Sequence, residues 1–324
     1  MPGEVFLVTG AAGCVGAWAI SALHQQGVPF VAVDLTDDRR RLRMILDAEH
    51  PRGVFVQADV SRPGALDQIV SDHQVTHIVH LAALQIPACA ANPSLGAEVN
   101  VVGTINILET IRRTQGRIHG FSYASSVAVF NASTDRRVGT DGPSTSIPST
   151  LYGAYKRTVE AVASIYSSDF GIGSIGLRPC VIYGLGRDQG LTSDVSNAMW
   201  AAATGVPSKV RFSGLTTFQY AEDVANIALL AARASGKQAA CCDLGGSSST
   251  VEEVVELIER SVPGAAGSIT VTGSELPFPA IYDPAPLQVQ IGPFSYEPLT
   301  SGVSKSIERF RTLHERGALG PPPH

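Results

Sequence analysis

The sequence predicts an α/β fold in which a doubly wound parallel sheet is covered by helices and carries a smaller C-terminal lobe. Three observations predict it. Short apolar runs of strand length alternate with helix-period segments through the first half of the 324 residues. The first such unit, Val5 to Asp34, runs strand, glycine turn, helix, strand, and closes on an acid. From Tyr183 onward the alternation becomes irregular and then rich in Pro and Gly, as an appended lobe would be.

The opening unit carries the most information. Val5-Phe6-Leu7-Val8 reads as a buried strand, Ala17 to Gln26 as a helix ending at Gly27, and Phe30 to Val33 as a second strand. Between them lies Thr9-Gly10-Ala11-Ala12-Gly13-Cys14-Val15-Gly16. Gly10 allows the tight turn off the strand, Gly13 lets backbone approach a pyrophosphate, and Gly16 lets helix pack on strand. The pyrophosphate then sits at the helix N-terminus, where free N–H groups favour negative charge. Asp34 is placed to accept from ribose hydroxyls and to repel a 2′-phosphate, which favours NAD over NADP. Arg39, Arg40 and Arg41 follow closely; a solvated helix face is a simpler reading for them than a phosphate clamp.

Further units follow in order. Helices are predicted over 39–48, 63–72, 92–113 and 151–170, and strands over 53–57, 76–81, 117–123 and 174–177. A Ser-, Thr-, Pro- and Gly-rich loop covers 131–150. Beyond Tyr183 come a loop (184–193), a helix (194–204), a short strand (210–212), a helix to about Ala234 and a strand at 239–244. Thr250 and Glu253 form a capping box, and a last helix runs near 302–314 before Pro321-Pro322-Pro323. The pattern divides the chain into a Rossmann-type dinucleotide domain, 1–183 rejoined by about 213–243, and a substrate lobe, 184–212 with 244–324.

Composition excludes several classes. A formal charge of −5 argues against a nucleic-acid surface. No apolar run is long enough to span a membrane, and a strand so near the first residue leaves no room for a signal peptide. Cys14, Cys89, Cys180, Cys241 and Cys242 show no metal spacing. Free thiols and no leader suit a cytoplasmic enzyme without a metal.

Chemistry concentrates downstream. Tyr152 and Lys156 are four apart on a predicted helix and share a face, whereas Tyr155 points elsewhere. A lysine ammonium beside a tyrosine lowers the phenol from its usual pKa of about 10 and so suits it to proton exchange. Ser125-Ser126 follow the strand at 117–123, at the carboxyl edge where ligands of open α/β sheets bind. A hydroxyl there either satisfies the loop backbone or holds a substrate alcohol against the tyrosine. His77 and His80 read as packed strand residues.

With these pieces assembled, the chain resembles the extended short-chain dehydrogenase/reductases, the NAD-dependent epimerase/dehydratase family. The glycine turn, Asp34, Asp59-Val60, His80-Leu81-Ala82-Ala83, Asn100, Ser125-Ser126, Tyr152-x-x-x-Lys156, Arg178-Pro179, Tyr183-Gly184 and Tyr220-x-x-Asp223-Val224 fall in the family's order. The resemblance implies Tyr152 as general acid/base, Lys156 on the nicotinamide ribose and Ser126 orienting the substrate hydroxyl. It implies that Asp59 and Val60 cover the adenine, and that Leu81, Ala82 and Ala83 flank ribose and pyrophosphate. Asn100 would tie strand ends near the cofactor, and Pro179 would lie by the nicotinamide. It also implies a homodimer built from the helices at 92–113 and 151–170.

Two positions depart from the nucleotide-sugar epimerases of that family. Val181 stands where an Asn usually holds the sugar diphosphate, and Thr216 stands where an Arg does. Losing both anchors favours a smaller substrate. Gly186-Arg187-Asp188-Gln189-Gly190 lies over the substrate end, where Arg187 and Gln189 either bind a carboxylate or hydroxyls or form a turn with Asp188. Gln85 and Gln219 are weaker candidates. The reading that follows is an NAD-dependent oxidation of a secondary alcohol in a small polyol, sugar or sugar-acid-like substrate. An epimerase is the first alternative and a non-catalytic NAD sensor the second.

Overall fold

The computed structural model describes residues 3–46, 53–131 and 147–323. Its first strand, β1 (Phe6–Thr9), is buried along its whole length. Helix α1 (Cys14–Gln25) follows, then β2 (Phe30–Asp34), α2 (Arg40–Ile45), β3 (Val54–Gln57), α3 (Asp67–Asp72) and β4 (His77–His80). Next come α4 (Ile86–Ala91), α5 (Pro93–Ala97), α6 (Gly103–Arg113), β5 (Gly120–Ala124), α7 (Leu151–Phe170), β6 (Ser174–Arg178) and β7 (Val181–Tyr183). The remainder is α8 (Asp194–Thr204), β8 (Ser208–Val210), β9 (Leu215–Tyr220), α9 (Ala221–Ala234), β10 (Ala239–Asp243), β11 (Ser247–Thr250), α10 (Val251–Ser261), β12 (Ile269–Val271), α11 (Ala285–Ile291) and α12 (Leu299–Glu315).

Seven strands form one sheet in the order β10-β6-β5-β4-β1-β2-β3. Every pairing in it is parallel, so both faces must be covered by helices. One face buries Val8, Ala32 and Val79 against α1 and α9, and the other buries Leu7, Val31 and Ile78 against α6 and α7. The chain winds outward from β1 to β3 and then returns to place β4 on the other side of β1. The strand ends therefore diverge at β1/β4, the crevice in which open α/β sheets bind ligands. A smaller mixed sheet, β11-β9-β7, and a pair, β12-β8, complete the architecture.

Most predicted elements are present, with instructive shifts. Pro63 lies in a turn ahead of α3, which starts only at Asp67. The helix expected over 92–113 is α5 and α6 joined by a π-helical segment, Glu98–Val102. The short strand expected at 210–212 is β8, two residues earlier. α4, β7, β9, β11, β12 and α11 were not anticipated. They are three to seven residues long, too short for periodicity to register. Thr250 and Glu253 do form a capping box. Much of the 131–150 loop lies outside the described residues, as does the C-terminal end of the 39–48 helix. No helix among the described residues is long and apolar enough to cross a membrane.

Candidate active site

The glycine turn is built for close approach. Gly10 has φ +69°, and a Cβ there would lie 2.7 Å from the Ala82 nitrogen; at Gly16 it would run into the Gly10 carbonyl. Thr9 links the same two segments, its hydroxyl accepting from the Leu81 and Ala82 amides at 3.2 and 3.3 Å. Asp34 closes the turn from the other side. Its carboxylate accepts from the Ala12 amide at 2.9 Å and the Leu35 amide at 2.8 Å. Beside it opens a cavity of about 130 Å³ lined by Ala11, Ala12, Asp34, Arg39 and Phe55 among others. The Arg39 guanidinium lies 3.9 Å over the Phe55 ring on its wall. A turn with no room for a side chain at Gly10 or Gly16, a helix N-terminus, an acid and an adjoining cavity fit an adenosine diphosphate. Val15 is half-buried at the helix start. Burial pushes the Cys14 thiol up to about 12, despite Arg187 and Arg41 nearby, so it stays protonated and inert.

Asp59 and Val60 lie past β3. Asp59 accepts from the Ser61 amide and hydroxyl, which together with Arg62 outweigh burial and lower its pKa. Val60 is buried beside Gly103, and its carbonyl accepts from Asn106. Leu81, Ala82 and Ala83 are half-buried after β4. Asn100 occupies the π-helical segment, where its side chain exchanges two hydrogen bonds with the Leu84 backbone, at 2.8 and 2.9 Å. The widened turn points Asn100 at the strand end, a use that π-bulges often serve. His80 is buried between Thr9 and Thr104 hydroxyls at 2.7 and 3.1 Å, and burial drops its pKa to about 3. It is a packed neutral histidine, as its strand position suggested.

At the end of β5 the chain enters a short 3₁₀ turn capped by Ser126, whose hydroxyl accepts from the Ala128 amide. The same hydroxyl lies near enough to the Tyr152 phenol to favour its ionised form. Tyr152 and Lys156 share one face of α7, with the Lys156 Nζ 5.7 Å from the Tyr152 ring centroid. Tyr155 points away and donates to the Pro93 carbonyl. The Lys156 ammonium donates to the Ala124 carbonyl at 2.6 Å. Burial lowers its pKa to about 8. The phenol was expected to be lowered as well, but it is raised. Burial is the largest influence, Ser126 and Arg187 oppose it, and the ammonium is turned onto the strand carbonyl.

The substrate-side candidates divide. Val181 is fully buried in β7 against Phe218 and packs in the core, so its side chain is not a ligand contact. Thr216 is likewise buried, with its hydroxyl 3.4 Å from the Cys180 sulfur. Gln219 is a structural staple. It donates to the Leu244 and Gly245 carbonyls and accepts from the Cys180 amide. Pro179 is half-buried, its carbonyl accepting from Val127 beside the Ser126 turn. Gln85 and Gln189 are exposed. Arg187 does not pair with Asp188 in a turn. Asp188 instead receives Arg40 at 2.7 Å and Arg41 at 2.6 Å. Arg41 also donates to the Ala12 carbonyl, so this arginine belongs to no solvated helix face.

Sequence reasoning missed three residues around the site. Glu160 lies four beyond Lys156 on the same face of α7, receives Arg178 at 2.7 and 2.8 Å, and accepts from the Ser125 hydroxyl. Extending the Tyr152/Lys156 spacing by one more turn would have found it. Arg41 and Asp188 are 147 positions apart, and no local pattern links them.

A family model described as "NAD dependent epimerase/dehydratase family" matches residues 6–241. UDP-glucuronate 4-epimerase 4 of Arabidopsis thaliana is 30% identical over 190 residues, 56% of this chain and 42% of that protein. The match thus spans less than half the length of that relative. Among solved structures, a UDP-glucose 4-epimerase with UDP-glucose from Thermotoga maritima superposes with TM-score 0.80 at 20% identity, covering 96% of this chain and 100% of its own. An L-threonine dehydrogenase from Phytophthora infestans does so with TM-score 0.79 at 22% identity, with the same coverage of 96% and 100%. At such identities these two likenesses are of fold.

Proposed function

The chain belongs to the NAD dependent epimerase/dehydratase family, the extended short-chain dehydrogenase/reductases, and from that premise we propose that it oxidises a secondary alcohol of a small polyol, sugar or sugar-acid-like substrate with NAD. The observation that carries this reading is the grouping of Ser126 with the Tyr152 phenol, with Lys156 one helical turn away and the glycine turn alongside. Gly10, Gly13 and Gly16 would hold the pyrophosphate, Asp34 the adenosine ribose and Lys156 the nicotinamide ribose. Bound NAD supplies an acceptor for one hydride at C4 of its nicotinamide.

The chain's own groups manage the proton. Ser126 holds the carbinol oxygen, and Tyr152 as phenolate takes its proton while the carbinol C–H departs as hydride. The alcohol would thereby become a ketone, its hydride going to the bound acceptor, and the proton would pass from Tyr152 to solvent. Lys156 must turn from the Ala124 carbonyl toward the ribose, which brings its charge to bear on the phenol and offsets the burial that raises it. Purified protein with NAD and a panel of polyols, sugars and sugar acids should develop NADH absorbance, and Tyr152→Phe should abolish it while binding NAD. A Tyr152→Phe protein with undiminished turnover refutes the assignment.

An epimerase that returns the hydride to the opposite face is the second reading, favoured by the names of the relatives at 30% identity. Against it, both places for a diphosphate anchor, Val181 and Thr216, are buried in the core. Incubation with UDP-sugars and chromatography of the products separates the two. We further propose a homodimer through the helical stretch 92–113 (α5, the π-helical segment and α6) and α7, which leave Val102, Ile165 and Phe170 exposed. Light scattering reads this directly, and a monomer mass rejects it. Five free cysteines suit the reducing cytoplasm as the setting.

A further inference from the structure

Arg187 is a cation without a carboxylate. Its Nη2 donates to the Thr192 hydroxyl at 3.0 Å, its Nε is buried with no partner, and no acid pairs with it among the described residues. The neighbouring acid, Asp188, is fully spent on Arg40 and Arg41. Two guanidinium groups thus share one carboxylate while Arg187 beside them has none, leaving a local excess of positive charge. Burial lowers the Arg187 pKa, the cost of holding an uncompensated charge there. The position is specific. Arg187 sits within electrostatic reach of both the Tyr152 phenol and the Cys14 thiol. Gly190, at φ +86°, is where the loop passes Gln85. A Cβ there would be 2.5 Å from the Gln85 Oε1 and 3.8 Å from the Arg187 Nη2. The glycine lets the Gln85 carboxamide and the Arg187 guanidinium share one wall beside Tyr152.

We propose that Arg187 receives a carboxylate of the substrate, so that the alcohol oxidised at Tyr152 belongs to a small hydroxy acid, with Gln85 meeting a further hydroxyl. This rests on the hydride-transfer reading above and names its substrate class. A planar guanidinium pairs with a carboxylate in a bidentate fork, and an otherwise uncompensated one gains most from such a partner. The same chemistry would serve the cofactor's pyrophosphate, since Cys14 opens the helix on which that group sits. The two sources are separable by experiment.

The NAD-loaded protein is titrated calorimetrically with matched pairs: D-gluconate against sorbitol, and 3-hydroxybutyrate against butan-2-ol. At least one acid should bind tenfold or more tightly than its neutral partner. Arg187→Gln should erase that preference, Arg187→Lys should keep part of it, and NAD affinity should move less than threefold in both. Retained melting temperatures and NAD binding show that the variants fold. Equal binding of acids and neutral partners overturns the proposal. So does an Arg187→Gln protein that loses tenfold in NAD affinity while keeping any acid preference, which would assign the guanidinium to the pyrophosphate. Acid-selective binding with no NADH formed would uphold the carboxylate site and reject net oxidation of the bound acid, so the two failures are distinct.

Discussion

Glu160 on α7 grips Arg178 at the end of β6 through two hydrogen bonds, Nε to Oε1 at 2.7 Å and Nη2 to Oε2 at 2.8 Å. The pair is almost sealed from water, with side-chain exposures of 8% and 9%. Burial would raise the Glu160 pKa, but the hydrogen bonds and charge of Arg178 outweigh it and hold the group below its ordinary value. Since the Ser125 hydroxyl also donates to Glu160 and Lys156 donates to the Ala124 carbonyl, α7 is stitched to the end of β5 at successive residues. The registration of Tyr152 against Ser126 depends on that stitching.

Glu160→Gln should therefore act as a positioning variant. Leaving Arg178 with Asp243, at 3.3 Å, as its one carboxylate should cost about 3 kcal/mol of stability, the usual penalty for breaking a buried ion pair. Turnover should fall more than KM rises, because the phenol loses its alignment while the substrate-side groups stay in place. Urea unfolding and steady-state kinetics read both; a fall in stability with unchanged kcat would reduce Glu160 to scaffolding.

How much of this was legible in the sequence follows from the range of the interactions. The βαβ unit from Phe6 to Asp34 was legible because each part is local: an apolar run, glycines at fixed offsets and an acid at the next strand end. Tyr152 and Lys156 were legible from helical spacing. The Arg41–Asp188 and Arg178–Glu160 pairs were not, since they join elements that only the sheet order brings together. The orientation of Val181 was not legible either, because its place on the substrate side came only from its position in the chain. Strand alternation, resolved only in the structure, turns its side chain into the core. The direction of the Tyr152 shift was misread for a related reason, as burial cannot be counted from spacing.

Asp34 should set the choice of cofactor. Its carboxylate already caps the Ala12 and Leu35 amides, so it is fixed before any ribose arrives. Asp34→Ser removes a charged acceptor worth about 1.5 kcal/mol, or tenfold in NAD affinity, and removes the repulsion of a 2′-phosphate. Fluorescence titration with NADH and NADPH should show the two dissociation constants converging. A ratio unchanged from the parent protein would take Asp34 out of the ribose site.

His80 should make the fold acid-sensitive in a defined window. Burial, with a smaller contribution from the Lys156 charge, drops its pKa from 6.5 to about 3. Below pH 6.5 the unfolded chain takes up a proton that the folded chain refuses. Stability is therefore complete above 6.5 and is lost as pH falls toward 3, by about 1.4 kcal/mol per unit. His77, lowered to about 4 by burial first, adds to the loss over the upper part of the window. His80→Gln keeps hydrogen-bonding groups but does not titrate, so its stability cost should shrink between pH 7 and pH 5 in urea unfolding. A constant cost would mean that His80 is protonated in the fold.

The Arg41–Asp188 pair should couple the cofactor turn to the loop that carries Arg187. Arg41 reaches Asp188 at 2.6 Å with side-chain exposures of 11% and 6%, and its other arm holds the Ala12 carbonyl at 2.9 Å. Arg41→Met leaves Asp188 buried with the half-exposed Arg40, and should cost about 3 kcal/mol. Arg41→Met with Asp188→Leu removes both charges and should be less destabilised than Arg41→Met alone, because no buried carboxylate is left with the exposed Arg40 as its main partner. Both variants should free residues 184–190, seen as faster amide exchange in that loop than in β1 or β4. If exchange in the loop is unaltered while stability falls, the pair contributes packing alone and the turn and the loop are held independently.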